Sequence, residues 1–315
     1  MTSRRWLAWA LGISSAVLAA CQDSLLLPTT SPYSAAALVN GYLTVFPWVG
    51  PAVTLPASVG TLGFARYSRH GAALYTAYTY AESERSEIQK VDIRTGRAAK
   101  WLAIPGFTAV AGLAISQDES RLVISGRYQG IAGVVCGVFE IEPGRNDAPR
   151  LLLREEGCDL NRSWSNPSFS PDSKRAVAWR GRSAIVDLID LDSGAFKSIG
   201  HGEQTTWSPD GKWIAVVDWD SKRYHVLLLD PNDPSRTRNL GTTDGLTLTW
   251  SPDSQYLLLW NAEFRCMSFG YWGSLEVADV QSGQRAVIGS SRCKVNNSSG
   301  GWVSNEAWKV TGARN

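Results

Sequence analysis

Histidine is scarce in this chain. There are three in 315 residues, His70, His201 and His225, and their spacing fits no zinc-site pattern. No Gly-x-Ser-x-Gly elbow, His-Glu-x-x-His pair or glycine-rich phosphate loop occurs. The expectation is therefore a protein that is not an enzyme and takes no cofactor and no metal. Net charge is nearly absent too. The first twenty residues hold two of the 31 basic side chains, Arg4 and Arg5, and no acid, which leaves 29 bases against 29 acids. That balance argues against a general binder of nucleic acid or other polyanions. The apolar run from Trp6 to Ala20 is shorter than the roughly 20 residues a membrane-crossing helix needs. With 44% hydrophobic residues, bulk disorder is excluded, and the length allows one large all-β domain.

Turns are abundant, and they repeat. Trp207-Ser208-Pro209-Asp210-Gly211 is followed by the strand-like run Trp213 to Val217. Pro209 presets φ at the second turn position, Ser208 and Asp210 can bond nearby backbone, and Gly211 tolerates the exit geometry. The same unit recurs at Trp250-Ser251-Pro252-Asp253-Ser254 and Phe169-Ser170-Pro171-Asp172-Ser173. Ser116-Gln117-Asp118-Glu119 loses the proline, Ser68 to Gly71 is a worn copy, and Trp302 to Val310 is weaker still. From Ser68 the anchors step by 48, 54, 38 and 43 residues to Ser116, Ser170, Ser208 and Ser251. A period of roughly 40–50 residues with several strands per unit indicates propeller blades.

The third strands are expected at Ser86–Asp92, Val134–Ile141, Ile185–Leu191, His225–Leu229 and Leu275–Val280, each ending at a polar turn. Asp92, Asp190, Asp192, Asp230 and Asp279 stand beside those turns and are expected to bond them. Fourteen tryptophans are expected mainly to fill the wedges between blades. Two strand-like runs, Tyr42–Phe46 and Ala52–Leu55, precede the first turn unit, and almost no chain follows the last. The expectation is an all-β, six-bladed β-propeller over residues 41–315. Its N- and C-terminal strands share the last blade, two from each end, so that no edge is left open.

The repeat units resemble the WD40-like PD40 repeats of TolB-type propellers over about residues 63–260. Similar repeats form the propellers of prolyl oligopeptidase relatives and tricorn-type proteases. The resemblance implies the fold, and it implies a periplasmic role in binding partner proteins, as in TolB-like proteins. The peptidase propellers work beside a separate α/β-hydrolase domain, and the roughly 27 residues after Ile288 are too few for one.

The N-terminus has its own signature. Met1–Arg5 is basic, Trp6–Ala20 is apolar, and Leu18-Ala19-Ala20-Cys21 resembles the lipobox of a bacterial lipoprotein precursor. That implies a signal peptide over 1–20 and a lipidated Cys21, followed by a linker through about residue 40 that contains Pro28, Thr29, Thr30, Ser31 and Pro32. Gln22 after the cysteine implies outer-membrane sorting in a two-membrane cell, with the propeller facing the periplasm.

Four cysteines remain, an even number in an exported chain. In a four-stranded blade, the loop from second to third strand and the loop to the next blade lie on one face. Blade register then pairs Cys136 with Cys158 and Cys266 with Cys293, each bridge stapling two loops and contributing about 3 kcal/mol in the chain-entropy model. The same face carries the long insertions Arg154–Asn166, Asn261–Trp272 and Gly289–Gly300. Its candidate partner-binding residues are Arg127, Tyr128, Arg162, Trp164, Arg180, Arg182, Trp219, Phe264, Arg265, Phe269, Tyr271 and Trp272, since Tyr, Trp and Arg anchor interfaces. The reading is a monomeric, lipid-anchored binding or scaffold protein for another envelope protein or peptide. The competing reading is a propeller that binds or hydrolyses a carbohydrate or other small ligand in its channel, with Asp218, Asp220 and Glu263 as scattered acids.

Overall fold

The computed structural model describes residues 32–39, 42–46, 53–58, 65–68, 71–80, 85–145, 147–155, 158, 166–181, 183–243, 247–263, 272–291 and 300–304. The described elements are strands. The chain opens with β1 (Tyr33–Val39), β2 (Tyr42–Phe46) and β3 (Val53–Ser58). Blade one is β4 (Ala65–Tyr67), β5 (Ala73–Tyr80), β6 (Arg85–Asp92) and β7 (Ala98–Pro105). Blade two is β8 (Phe107–Ile115), β9 (Leu122–Gly130), β10 (Gly133–Ile141) and β11 (Arg150–Arg154). Blade three is β12 (Ser168–Phe169), β13 (Arg175–Arg180), β14 (Ile185–Asp190) and β15 (Phe196–His201). Blade four is β16 (Glu203–Trp207), β17 (Ile214–Trp219), β18 (Tyr224–Leu229) and β19 (Thr237–Thr243). Blade five is β20 (Thr247–Trp250), β21 (Tyr256–Glu263), β22 (Trp272–Asp279) and β23 (Arg285–Ser291). The last strand is β24 (Gly300–Ser304).

Within each blade the strands pair antiparallel in chain order. The expectation of six blades is corrected here to five that are each laid down by one continuous stretch. The remaining four-stranded sheet is not a sixth repeat. It has the order β24-β1-β2-β3, three strands from the N-terminal stretch and one from the C-terminal stretch, rather than two from each. β1 pairs on both sides, with Trp302 opposite Ala35 and Phe46 opposite Ala35 on its other edge. The linker read through residue 40 therefore contains a strand. Its sequence, Tyr-Ser-Ala-Ala-Ala-Leu-Val, is a poor strand former by composition, but Ser34, Ala35 and Ala36 are buried and two neighbours supply its backbone partners. Tertiary pairing overrides local preference at such a position. Residues 1–31, including Cys21, and residues 305–315 lie outside the described residues.

The cores lie between blades. Trp207 packs with Val177, Val186, Ile199, Ile214 and Val216 between blades three and four. Trp250 fills the corresponding place between blades four and five, with Ala215, Val217, Leu240 and Leu257. Their indole N–H groups donate to Gly211 O at 3.3 Å and Thr206 O at 3.1 Å, so each ring is buried without losing a hydrogen bond. This is the wedge role expected of the tryptophans.

The Ser-Xaa-Asp units are the turns from first to second strand. Ser116, Ser170, Ser208 and Ser251 are buried, and each hydroxyl donates to the Asp two residues on. Each also accepts, at 2.9 Å, the backbone N–H five residues on: Arg121, Arg175, Trp213 and Tyr256. One side chain thus closes the turn from inside. The fourth turn position is left-handed in the five copies where it is described: Gly71, Glu119, Ser173, Gly211 and Ser254, with φ between 57° and 80°. At the other turns of this face, Asp92, Asp190 and Asp279 accept the N–H and hydroxyl of Thr95, Ser193 and Ser282. Asp230 accepts the N–H of Asn232 at 2.9 Å. These carboxylates do turn work, as expected. Asp192 differs: it meets Arg121 Nη1 at 3.4 Å across the blade boundary.

Candidate binding face

Antiparallel order puts the Ser-Xaa-Asp turns and the third-to-fourth-strand turns on one face, the turn face. The second-to-third-strand loops and the blade-to-blade connections lie on the other, the loop face. Cys136, in β10, is bonded to Cys158, with Cα atoms 5.4 Å apart, so the expected pairing of this couple is present on the loop face. The Glu155 N–H donates to Cys136 O at 2.9 Å just before the bridge. Cys266 and Cys293 lie outside the described residues, as do Arg162, Trp164, Arg182, Phe264, Arg265, Phe269 and Tyr271. Trp272 begins β22 opposite Glu263.

The remaining four candidates differ in what they are free to do. Tyr128 stacks on Phe107 and Phe139, with ring centroids 5.3 and 5.7 Å away. Its ring also lies so close to Gly106 that a Cβ there would fall 2.5 Å from it, and Gly106 is left-handed besides, at φ 82°. Tyr128 is a cap on the cluster between blades one and two. Arg180 is committed as well. Its Nε and Nη2 donate to Asp187 at 2.6 and 3.0 Å, and Ser198 Oγ donates to the same carboxylate at 2.8 Å. Asp187 is wholly buried while the Arg180 side chain is 40% exposed. The hydrogen bond to Asp187 raises the Arg180 pKa against the cost of burial. Arg127 donates to Thr108 Oγ1 at 2.7 Å and has no acidic partner among the described residues. Trp219 is 52% exposed at the end of β17, its ring 4.7 Å from that of Tyr224.

Other exposed apolar side chains stand on the same face. Ile131 is fully exposed at the tip of the β9–β10 hairpin, and Val134 beside it is 53% exposed. Nothing in the residue types distinguishes these from the buried valines and isoleucines of other third strands; their exposure follows from the hairpin's length.

An acidic group lies where blade four begins. Glu203, at the start of β16, has its pKa raised by burial first and by the neighbouring Asp218 second. Asp220 is held at about 2, first by the Arg223 and Lys222 N–H groups and then by His225 Nε2 at 2.8 Å. Asp218 and Asp220, read from the sequence as scattered channel acids, stand at the end of β17 toward the loop face, with unequal company. Among the described residues three buried side-chain polar atoms have no hydrogen-bond partner: Thr76 Oγ1, Trp179 Nε1 and Asn166 Oδ1, the last on a residue bonded to Gln204 and Thr205, next to Glu203. Glu203 was not singled out in the sequence, where nothing marks it as half-buried beside a second acid. Among the described residues, no group of three or more His, Cys, Asp or Glu side chains is placed to hold a metal ion.

With this geometry the molecule is a β-propeller of TolB-like fold. The solved structures it resembles include TolB from Acinetobacter baumannii, with a TM-score of 0.64 and 18% identity over 88% of this chain and 67% of that one. A structure assigned to TolB from Agrobacterium tumefaciens gives 0.58 and 14%, over 86% and 98% of the two chains. An oligogalacturonate lyase in complex with manganese gives 0.52 and 14%, over 82% and 79%. At these identities the likeness is one of fold. No protein-family model matches the chain, and no curated protein matches it.

Proposed function

We propose that this protein is a lipid-anchored propeller of the bacterial cell envelope that binds another envelope protein or peptide through its loop face, without catalysing a reaction. The observation that carries the reading is the company around the disulfide. A rigid scaffold holds a stapled hairpin with an exposed apolar tip, Ile131 and Val134, while Trp219 stands exposed on the same face. Exposed aromatic and aliphatic side chains, near an arginine with no acidic partner among the described residues, are the material of a recognition surface. The TolB-like fold and the lipobox-like Leu18-Ala19-Ala20-Cys21 add the envelope setting, with Cys21 as the anchor and the outer membrane, periplasmic side, as the place. The propeller acts as a monomer.

The test has two arms. Photo-crosslinker placed at Trp219 in living cells, followed by detergent solubilisation, is expected to yield a discrete adduct with one envelope protein. A ladder no different from that of a crosslinker on the turn face would defeat the binding reading. Cys21→Ser is expected to move the protein from the membrane fraction to the soluble one, and continued sedimentation with membranes would defeat the anchor.

A second reading is favoured by Glu203 and Asp218. A carboxyl of raised pKa beside a second acid is a pattern that sugar-processing sites use, and a lyase for oligogalacturonate shares the fold. Here the expected result with oligogalacturonate and manganese is neither turnover nor a shift in Tm. Either signal would move the function to the channel.

A further inference from the structure

The β17–β18 hairpin of blade four ends in the tip Trp219-Asp220-Ser221-Lys222-Arg223-Tyr224, described throughout. Trp219 and Tyr224 are the last pair of its ladder. Between them the Asp220 N–H donates to Arg223 O at 3.2 Å. Asp220 Oδ1 accepts the Lys222 and Arg223 N–H groups at 2.9 and 2.8 Å, and its Oδ2 meets His225 Nε2 at 2.8 Å. His225 is steadied in turn by Asn239 of β19, whose Oδ1 accepts the Gly241 N–H at 2.7 Å. The tip is thus fastened to its own blade through one acid. A loop ordered in this way gives up little freedom when a partner binds.

Two kinds of group face outward from it. The Trp219 and Tyr224 rings meet at 53°, which makes a notch rather than a flat shelf, and about half of Trp219 stays in water. Lys222 and Arg223 are both exposed. Among the described residues neither has an acidic partner, and the carboxylate of the tip pairs with His225 instead. The neighbouring hairpins of the loop face differ. Ile131 and Ala132, at the tip of β9–β10, carry no charge, and Arg180 at the end of β13 is spent on Asp187. Of these three places only the blade-four tip sets unpaired cations beside an exposed aromatic ring.

We propose that this tip docks an acidic segment of a partner protein. An apolar or aromatic side chain of that segment enters the notch between Trp219 and Tyr224, and carboxylates beside it meet Lys222 and Arg223. Charge complementarity names the occupant. The notch suits one inserted side chain, the arrangement that Trp and Tyr anchors make at protein interfaces. Two cations in a chain of balanced charge are too few for the basic stripe a nucleic acid requires. The inference rests on the binding reading above and deepens it by giving the partner's chemistry.

One measurement tests the free protein. Trp219 fluorescence is taken as the difference between wild type and Trp219→Phe, since the chain has fourteen tryptophans. Its quenching by iodide is expected to fall about threefold in the double variant Lys222→Glu with Arg223→Glu. A Trp219 shielded from iodide, or quenched equally in both proteins, would overturn the proposal by showing the notch or the cations covered from within. The second measurement uses a random heptapeptide library displayed on phage and panned against the whole protein, with enriched peptides then synthesised. These are expected to carry at least two Asp or Glu around a Trp, Phe or Leu. Their binding should weaken about tenfold in the double variant, about tenfold in Trp219→Ala, and severalfold between about 0.02 and about 0.3 M salt. Lys222→Gln with Arg223→Gln should give a smaller loss in the same direction. Enriched peptides without acidic residues, acidic peptides that bind the double variant as tightly as the wild type, or a library that yields none would each overturn the inference. The binding reading is tested apart from it. A photo-adduct at Trp219 that the double variant still forms would leave that reading standing and remove the acidic partner.

Discussion

Two side chains carry opposite electrostatic messages. Asp187 is buried and accepts three hydrogen bonds, two of them from Arg180. Removing the arginine would leave a buried carboxylate short of its cation. Arg180→Ala is therefore expected to lower stability by about 2–4 kcal/mol in urea unfolding, the lower part of the range because the arginine is partly exposed. An unchanged midpoint would show that Arg180 is held for binding instead. Glu203 runs the other way. Its pKa in the fold is raised by burial and then by Asp218, so folding disfavours the ionised form. Its contribution is intact below the ordinary glutamate value of 4.5 and is lost as pH rises through the folded value. Glu203→Gln should leave Tm unchanged at pH 4 and raise it at pH 8, as read by calorimetry at the two pH values. Neither residue's environment was legible in the sequence. Arg180 reads there as a surface arginine near a loop, and only the ladder, with Ala178 opposite Asp187, brings that acid under it. Glu119 shows the same limit. It occupies the left-handed place that Gly71 and Gly211 fill elsewhere, and the strain is offset by a contact no local pattern foretells: Lys90 Nζ at 2.8 Å and the Tyr75 hydroxyl, both from blade one.

At the scale of the element, the Ser-Xaa-Asp turn was read well because its chemistry is local. A serine that closes a turn on the aspartate two residues on needs only five residues to be recognised, so four of the turns and the third strands that follow fall where expected. Asp118 shows what the arrangement does to acidity: the Ser116 hydroxyl first, then Ser120, hold it at about 2. Asp172 is also lowered, chiefly by Ser170, and Asp210 is lowered against the cost of burial by Ser208 and the Lys212 N–H. An acid with a lowered folded value contributes above its unfolded value and loses that contribution as pH falls through the folded one. Stability is thus expected to drop between about pH 4 and about pH 2, and Ser116→Ala to flatten that drop while costing about 1 kcal/mol at pH 7. A variant as pH-sensitive as the wild type would contradict the role of the hydroxyl. The closing sheet was read less well for the opposite reason. β1 is a strand only because β24 and β2 lie beside it, and β24 is more than 250 residues away in the chain. The disulfide was accessible to sequence reasoning because blade order alone puts both cysteines at one end of the same sheet.

For the whole molecule, the closing sheet decides which face of the propeller the proposed Cys21 anchor would hold nearer a membrane. Tyr33 pairs with Ser304, so the chain enters the ring and leaves its last described strand at the same side of the disc, among the Ser-Xaa-Asp turns. A lipid on Cys21 would be joined to Pro32 by a leash of at most about 40 Å when fully extended. The disc would then hang with its turns toward the bilayer and the stapled hairpin on the far side, pointing into the compartment. A ligand bound there approaches from the aqueous space and need not pass between the protein and its own membrane.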